Sequence, residues 1–352
     1  MIPFFTTFIG KTAKDRVGRV LDQGWLNEGK QVQKFENRLS RLLDLPNLLT
    51  TNSCSSALLL CLFDIGVKDK EVILPPQTFI ATGMAIMAAG GKPVFSDIDP
   101  NTGNLDPEKI EINEKTAAII PVLWGGNPCE LDKFPKNIPI IQDAAHALGS
   151  TINGKSIAHF SDYTCYSFQS IKHLTTGDGG AVATLNPSPK LKRMKWFGID
   201  KGNIKRDELG GRIPDVDLFG FKWHMNDFAA ALGLANLAGY KRRLNRRRKL
   251  ANVLTKELQD VPGIHLLKQN GESAYWMYTL RADKRNSLCS KLNGLPFSTV
   301  DYGIHKNPIF DCKKELPGQE LFDQTQLSFP VHDQINQDII EEIINRIKGG
   351  WQ

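Results

Sequence analysis

A chain of 352 residues with a hydrophobic content of 41% is long enough for one large domain and a smaller one. It has no apolar run of about 18 residues and no basic segment leading into one, so we expect a cytoplasmic protein without a membrane partner. The net charge of +6 would suit an anionic substrate or a nucleic acid. The six cysteines lack C-x-x-C or zinc-finger spacing, which favours reduced thiols and no metal site.

Residues 11–45 are predicted to form two helices joined by the turn Gly-Trp-Leu-Asn-Glu-Gly at residues 24–29. The apolar residues of the second helix recur at steps of three and four, as is typical of a helix packed on one face: Val32, Phe35, Leu39 and Leu42. On this pattern alone, the segment is a packing arm.

A third helix is predicted to begin at residues 53–55, where Ser, Cys and Ser precede an apolar run. The free amides and the positive dipole end of such a helix start can hold a phosphate group. A simple helix cap would produce the same pattern, so both interpretations stay open here.

Strand-like apolar segments then alternate with helical or turn segments as far as Asp143, and this alternation is typical of a largely parallel sheet. Ligands of such sheets bind at the carboxyl ends of the strands. Asp143 stands at one of these ends, where a buried carboxylate is costly unless a cation pairs with it. A protonated pyridine nitrogen would be a suitable cation.

Lys172 lies between an aromatic, strand-like segment at residues 162–168 and a small, polar turn at residues 175–180. A lysine held at a strand end can lose contact with water, have its pKa lowered and form a Schiff base. A single loop lysine is more often a solvated surface charge. The preceding Asp143 is what favours the chemical interpretation.

The basic run at residues 241–249 leads into apolar residues at helical spacing, which predicts a long helix. We expect a solvated or interface helix rather than a nucleic-acid site, because no aromatic residues are interleaved with the basic ones. Just before it, a helix from residue 229 has Asn226 or Asp227 as its expected N-cap.

The remaining segments, with a strand at residues 274–280 and a terminal helix at residues 339–347, predict a smaller α+β domain. We therefore divide the chain into a large domain of residues 1–240, with an N-terminal arm of residues 1–45, and a small domain of residues 241–352.

Three ordered segments resemble the signatures of the DegT/DnrJ/EryC1/StrS family of sugar aminotransferases. They are Asp-Ala-Ala-His-Ala-Leu-Gly at residues 143–149, Ser-Phe-Gln-Ser-Ile-Lys at 167–172 and Thr-Thr-Gly-Asp-Gly-Gly at 175–180. The resemblance extends from residue 24 to residue 332. It implies an α/β protein with the aspartate-aminotransferase-like, pyridoxal-phosphate type I fold, in which a mostly parallel seven-stranded sheet lies between helices and a smaller α+β domain follows.

The resemblance also implies the cofactor, pyridoxal 5′-phosphate (PLP) or its pyridoxamine form (PMP). Lys172 would hold it covalently and move protons, and Asp143 would keep its ring nitrogen protonated. The other implied contacts are Cys54 and Ser55 at the phosphate, Phe79 over the pyridine ring, His146 at the phenolic oxygen, Ser167 at the phosphate and Lys222 from a partner subunit. Cys54 and Lys222 depart from the family's usual glycine and asparagine.

Substrate contacts are expected at Trp25, Leu26, Asn27, Trp124, Tyr302 and His305. The resemblance places the turn at residues 24–29 near a nucleotide-sugar site at a dimer interface, and Trp124 follows a predicted strand. Core packing is an equal alternative for Tyr302 and His305. Because Lys222 is assigned to the neighbouring subunit, the resemblance implies a homodimer with shared active sites.

The function implied is that of a PLP-dependent transaminase that converts a keto group of a nucleoside-diphosphate-linked sugar to an amine. Glutamate would be the amino donor, and the pathway would be amino-sugar biosynthesis for a surface polysaccharide such as lipopolysaccharide O-antigen, or for a secondary metabolite. Lys172 argues for transamination, since the dehydratase relatives carry histidine at that position.

Two alternatives stay open. A non-catalytic sugar-binding or regulatory protein on the same scaffold would be expected to lose Lys172 or Asp143, and both are present. Another PLP type I reaction, elimination or desulfuration, is the other alternative, and desulfuration is disfavoured because no cysteine lies in an obvious mobile loop. A Rossmann enzyme is weaker still, since no G-x-G-x-x-G follows an early strand.

Overall fold

The computed structural model describes residues 2–299 and 303–351 of the chain. The helices are α1 (Ala13–Gln23), α2 (Lys30–Leu43), α3 (Cys54–Ile65), α4 (Ile80–Ala88), α5 (Pro189–Met194), α6 (Asp227–Asn236), α7 (Tyr240–Leu258), α8 (Arg285–Lys291), α9 (Pro317–Thr325) and α10 (Gln337–Lys348). The strands are β1 (Leu49–Thr51), β2 (Glu71–Leu74), β3 (Lys92–Phe95), β4 (Ile98–Asp99), β5 (Asn104–Leu105), β6 (Thr116–Ile119), β7 (Ile141–Asp143), β8 (Thr151–Ile152), β9 (Lys155–Ser156), β10 (Tyr163–Ser167), β11 (Gly180–Ala183), β12 (Ile264–Leu266), β13 (Tyr278–Ala282) and β14 (Gln326–Phe329). Among the described residues, no helix is both long enough and apolar enough to cross a bilayer.

Side-chain caps explain where the helices nearest the site begin. The Ser53 hydroxyl accepts a hydrogen bond from the backbone amide of Ser56 at 3.1 Å, which starts α3 at the predicted place. The Asn226 side chain accepts one from the amide of Ala229 at 2.8 Å and starts α6. Each bond satisfies an amide that has no carbonyl partner inside the helix.

The central sheet joins two groups of strands. β3, β2 and β6 pair in parallel, while β7, β10, β11 and β1 form the second group. Parallel bridges from Ile119 to Ile140 and from Val122 to Asp143 connect β6 to β7, so seven strands lie side by side. β11 runs antiparallel to both of its neighbours, β10 and β1. The sheet is therefore mostly parallel, as predicted.

Helices cover both faces of this sheet, and alternate strand residues point to opposite faces. Tyr166 and Ala181 pack in the core with α2 and α6. Their neighbours in sequence, Cys165 and Val182, pack in the core with α3 and α4. Because both faces are buried, strands such as β2 and β11 carry apolar residues on both sides instead of alternating them with polar ones.

The chain beyond residue 250 forms a second core on a smaller antiparallel sheet, in the order β12–β13–β14. The end of α7, α8 and α10 pack on it with residues that include Leu254, Leu288 and Ile343. α7 belongs to both parts, because its residue Leu244 lies in the core of the large sheet. The domain boundary at residue 240 therefore stays a prediction.

The basic run of α7 turns several arginines towards backbone carbonyls. Arg248 donates to the carbonyl of Gly149 at 2.9 Å in the large part and to that of Ser273 at 3.0 Å in the small part. Arg247 donates to the carbonyls of Tyr275 and Trp276, both at 3.4 Å. These arginines thus fasten the segment before β13 to the rest of the molecule.

Candidate active site

A cavity of about 350 Å³ opens at the carboxyl ends of β2, β6, β7 and β10, next to the start of α3. This is where open α/β sheets bind ligands. The walls come from seven separate stretches of the chain, and the lining residues include Cys54, Ser55, Thr78, Phe79, Thr82, Asp143, His146, Ser167, Lys172 and Trp276.

Lys172 is held in a tight turn that follows β10. Its backbone amide donates to the carbonyl of Gln169 at 3.0 Å, and the amide of Thr176 returns to the carbonyl of Phe168 at 2.9 Å. The Lys172 Nζ lies 3.8 Å from the centre of the Trp276 ring. Burial lowers the pKa of this amine from 10.5 to about 8, although Asp143 acts in the opposite direction. Neutral and charged forms of the amine are therefore both accessible near neutral pH.

Asp143 faces the same cavity with both carboxylate oxygens engaged. Oδ2 accepts a hydrogen bond from the Thr82 hydroxyl at 2.8 Å, and Oδ1 accepts one from the amide of Ala145 at 3.1 Å. Burial raises the pKa of this carboxyl, while the two hydrogen bonds and the charge of Lys172 act to lower it. A cation placed beside Asp143 in the cavity would keep it ionised.

The start of α3 forms an anion cradle at the cavity wall. The first amides of a helix have no carbonyl partner within it, and the dipole there favours negative charge. β11 presses directly on this turn, because a Cβ at Gly180 would lie 2.4 Å from the carbonyl carbon of Ser53. Burial raises the pKa of the Cys54 thiol well above its usual value, so Cys54 contributes bulk rather than charge.

The remaining predicted cofactor contacts of this chain also reach the cavity. Phe79 lines it and is 63% exposed, so its ring is free to cover a flat ligand. Ser167 lies at the end of β10. His146 stacks on Trp276 with ring centres 3.8 Å apart, and burial lowers its pKa well below the usual value, which makes it a neutral imidazole. The structure thus brings together Cys54, Ser55, Phe79, Asp143, His146, Ser167 and Lys172.

Lys222 lies outside the cavity of its own chain. It is exposed, and its carbonyl accepts a hydrogen bond from the Asn52 side chain at 3.3 Å, next to the anion cradle. Its assignment to a neighbouring subunit stays a prediction.

Those predicted substrate residues that the structure describes do not line the cavity. Trp25 and Leu26 are exposed on the turn at residues 24–29, and Asn27 on the same turn is hydrogen-bonded to His224 at 2.6 Å. His305 packs near Phe95, with ring centres 6.1 Å apart.

The buried Trp124 ring lies next to a residue of the cavity wall. Trp124 is 1% exposed and packs edge-on against His146, so it supports a cavity residue rather than presenting a surface to a ligand. Contact between Trp124 and a substrate stays a prediction. Tyr302 lies outside the described residues.

The sequence did not reveal the roles of the Thr78 and Thr82 hydroxyl pair or of Trp276 at the cavity. The Thr78 and Thr82 hydroxyls lie 2.7 Å apart, and Thr82 binds Asp143. Neither threonine gave a signal in the sequence, because threonines near a helix start are common and the contact of Thr82 with Asp143 spans 61 residues. Trp276 had no local signal, because it stands 104 residues after Lys172 in a strand-like segment of the small part.

Known proteins resemble this chain along nearly its whole length. The sequence pattern of the DegT/DnrJ/EryC1/StrS aminotransferase family matches residues 8–348. A UDP-4-amino-4,6-dideoxy-N-acetyl-beta-L-altrosamine transaminase of Campylobacter jejuni is 29% identical, with 100% of both chains covered. GDP-perosamine synthase of Escherichia coli O157:H7 is 30% identical over 89% of this chain and 88% of its own. The crystal structure of AtS13 from Actinomadura melliaura, 31% identical, superposes with a TM-score of 0.92 over 100% of this chain and 99% of its own. The predicted fold class is confirmed.

Proposed function

Because the chain belongs to the DegT/DnrJ/EryC1/StrS aminotransferase family, we propose that it transfers an amino group to the keto group of a sugar linked to a nucleoside diphosphate. It is a PLP-dependent aminotransferase, like the solved relatives in PLP and PMP forms. The names of the transaminase and the perosamine synthase described above support this substrate class. The observation that carries the proposal is the presence of Lys172 and Asp143 on the walls of one cavity.

The residues of the cavity fit PLP. The start of α3 offers amides to the phosphate, the exposed Phe79 ring suits a flat heterocycle, and Asp143 is a buried carboxylate that needs a cation. When bound, PLP supplies an electron sink for the carbon that gains or loses the amino group.

The side chains of the protein then hold and move protons. Lys172 would hold the cofactor through its neutral amine, and its Nζ would carry the proton that the substrate carbon gains or loses. A pKa of about 8 allows it to accept and to donate. Asp143, oriented by Thr82 and Ala145, stabilises positive charge on the ring nitrogen. The neutral His146 is suited to donate a hydrogen bond to the phenolic oxygen.

We also infer that the enzyme is a homodimer whose subunits share their active sites. Within the described residues, Lys172 is the sole lysine or arginine on the cavity wall, so a second cation beside a bound phosphate would have to come from outside this wall. Lys222 is exposed and lies in a segment with the ring of Phe219, which is 65% exposed, and the stacked pair Phe221 and Trp223. A second copy of the chain that covers these rings would bring its Lys222 to this cradle.

The other parts of the proposal rest on the family resemblance rather than on the geometry of the cavity. The turn that carries Trp25, Leu26 and Asn27 would contact the nucleotide sugar, together with His305, and glutamate would be the amino donor. We place the enzyme in the cytoplasm, in amino-sugar biosynthesis for a surface polysaccharide such as O-antigen or for a secondary metabolite.

The experiment is a half-reaction followed by absorption. Purified enzyme converted to the PMP form is mixed with a panel of UDP-, GDP- and dTDP-linked keto sugars, and with the same free sugars as controls. We expect the visible absorption of lysine-bound PLP to return with at least one nucleotide-linked sugar and with none of the free ones. Lys172→Ala should not recover it, whereas Lys192→Ala, a change on the exposed surface, should. Tight binding of a nucleotide sugar by loaded wild-type enzyme without any spectral change would instead support the non-catalytic alternative.

A further inference from the structure

The segment at residues 274–276 holds the chain on both sides of Lys172. The His173 ring, one residue after it, is hydrogen-bonded through Nε2 to the carbonyl of Ala274 at 3.0 Å. The Trp276 indole donates from Nε1 to the carbonyl of Ile171, one residue before it, at 3.1 Å. A piece of the small part of the molecule therefore fixes the backbone that carries the reactive amine.

The backbone of this segment is itself closely constrained. The amide of Trp276 donates to the carbonyl of Gly125 at 2.8 Å, and the Ser150 hydroxyl accepts from the amide of Ala274 at 3.0 Å. A Cβ at Gly126 would lie 2.9 Å from the amide nitrogen of Tyr275, so the glycine turn and the segment touch directly. Trp276 has little freedom to move away from the cavity.

The indole of Trp276 is the group that the Lys172 amine contacts. Nζ lies 3.8 Å from the ring centre, and the indole is only 4% exposed. Phe5 and His146 stack on the same side chain, with ring centres 4.3 and 3.8 Å away, which fixes its plane. An ammonium over the face of a tryptophan ring is attracted by about 0.5 to 2 kcal/mol, with the larger values where water is excluded.

The other ionisable groups around Lys172 do not replace this contact. Asp143 acts on the amine as a nearby charge. The Cys54 thiol and the His146 and His173 rings are neutral, because burial raises the pKa of the thiol and lowers the pKa of both imidazoles. In the described residues the hydrogen-bond donors to the Asp143 carboxylate are Thr82 and Ala145. The aromatic face is therefore where the charged amine is held.

We propose that Trp276 holds the Lys172 amine in place whenever that amine is not bonded to the cofactor, and so acts as a positioning residue for both proton transfers. The inference rests on the proposed function. A lysine has a long flexible side chain, and in a cavity that contains a buried carboxylate its ammonium is drawn towards that charge. The indole keeps Nζ of Lys172 at the cavity wall, and from there the amine returns to the reacting carbon.

The test measures Lys172 itself in the cofactor-free protein. Lysines are labelled with formaldehyde and cyanoborohydride across a range of pH, and the peptide containing Lys172 is quantified by mass spectrometry. Loss of the ring face destabilises the ammonium, so the midpoint of labelling is expected to fall from wild type to Trp276→Phe and further to Trp276→Leu. The total fall should be about 0.5 to 1 pH unit. Because both variants lose the bond to Ile171, their difference isolates the ring face.

Phe5→Leu is the matched control, since it removes a ring stacked on Trp276 and leaves the contact with Lys172 intact. Its midpoint should equal that of the wild type. A midpoint in Trp276→Leu that is equal to or above the wild-type value overturns the inference, because water would then stabilise the Lys172 ammonium at least as well as the ring does. Should Trp276→Leu not fold, the smaller fall in Trp276→Phe decides.

A kinetic measurement separates this inference from the proposed function. In single turnovers of the loaded enzyme, both half-reactions should slow by a similar factor in Trp276→Leu, with KM little changed. If wild-type enzyme aminates no nucleotide-linked sugar, the proposed function fails, while the labelling order still stands. If the enzyme is active and the labelling order is absent, the positioning role fails alone.

Discussion

The carboxylate of Asp143 shows how one buried side chain prepares the site for its ligand. It receives one hydroxyl and one amide hydrogen bond, which orient it, and burial still raises its pKa. Such a group gains most from a positively charged partner, because in the interior an uncompensated charge is costly. The cavity is therefore selective for a ligand with a cationic atom opposite Asp143.

Asp143→Asn should lower the rate of both half-reactions strongly. Removing one partner of a buried ion pair costs about 3 to 5 kcal/mol, which corresponds to roughly a hundredfold to several thousandfold in rate. Single-turnover absorption measurements on cofactor-saturated protein would check this. Thr82→Val, which removes one hydrogen bond to the carboxylate, should cost about 1.5 to 3 kcal/mol at most. Equal losses in the two variants would mean that Asp143 acts only through its orientation.

Lys172→Met is expected to stabilise the cofactor-free protein at neutral pH. The pKa of Lys172 is lowered from 10.5 to about 8 in the folded state, so the unfolded chain binds more protons between these values. The wild-type free energy of unfolding therefore rises with pH across this window. The free energy of unfolding of Lys172→Met should exceed that of the wild type by on the order of 1 to 3 kcal/mol below pH 8, and this difference should vanish near pH 10.5.

Urea unfolding at pH 7 and at pH 10.5 provides the measurement for this variant. Lys192→Met, at an exposed position, should show no such dependence on pH. An advantage of Lys172→Met that persists unchanged at the higher pH would contradict the assignment of a buried amine.

At this scale the sequence identified the residues whose chemistry is unusual for their setting. A lysine in a small, polar turn and an aspartate at the end of an apolar strand are both anomalies that the chain itself displays. Thr82 and Trp276 are not anomalies, because a threonine in a helix and a tryptophan near a strand are ordinary. Their roles depend on contacts across 61 and 104 residues, which no local pattern encodes.

The start of α2 depends on the carboxylate of Asp227, a residue that the sequence pattern assigns to the cap of α6. Asp227 was an expected alternative cap for α6, and Asn226 takes that role. The Oδ1 of Asp227 instead accepts hydrogen bonds from the amides of Gly29, Gln31 and Val32 at 2.9 to 3.1 Å, at the start of α2. The N-cap residue of α2 is Gly29, which has no side chain to accept these hydrogen bonds, so Asp227 of α6 supplies the acceptor.

Asp227→Ala should cost about 2 to 4 kcal/mol in the free energy of unfolding, because three amides lose a charged acceptor. Asp227→Asn, which keeps an oxygen, should cost about 1 kcal/mol. The proposed substrate turn ends at Gly29, so KM for the nucleotide sugar should also rise in Asp227→Ala. Urea unfolding and steady-state kinetics measure the two effects.

Asn226→Ala is the matched control for this element, since it removes a cap from α6 without touching the turn. It should lower stability by about 1 kcal/mol and leave KM unchanged. A similar rise of KM in both variants would show that α6, and not the turn, governs substrate binding.

At the scale of the whole molecule, the sequence predicts the fold class and the order of the elements, but not the contacts that connect the large and small parts. Alternating apolar segments predict a parallel sheet, and the family signatures imply its seven strands. The arginines of α7 were expected to face solvent or an interface, yet Arg247 and Arg248 bind carbonyls that link the two parts. The sequence of a basic run does not show whether its side chains face solvent or backbone carbonyls, because tertiary packing decides their direction.

Mixed dimers test the proposed sharing of sites at this scale. Lys222→Ala should lower activity by about 10- to 150-fold, the effect of losing a hydrogen bond to a charged group, and Lys222→Arg should retain most of it. A dimer of one Lys172→Ala subunit and one Lys222→Ala subunit should regain up to half of the wild-type activity, because one of its sites has both lysines. Co-expression with two affinity tags isolates this dimer. Activity no higher than that of the two parents would place Lys222 in the site of its own chain.

The position of Trp276 has a consequence for synthesis of the protein in the cell. The large sheet, Asp143 and Lys172 all precede it in the sequence, but the wall formed by its indole comes from the small part. A nascent chain still on the ribosome can therefore fold its first sheet before it can enclose a cofactor. Retention of the coenzyme then reports that the last third of the polypeptide has emerged and docked.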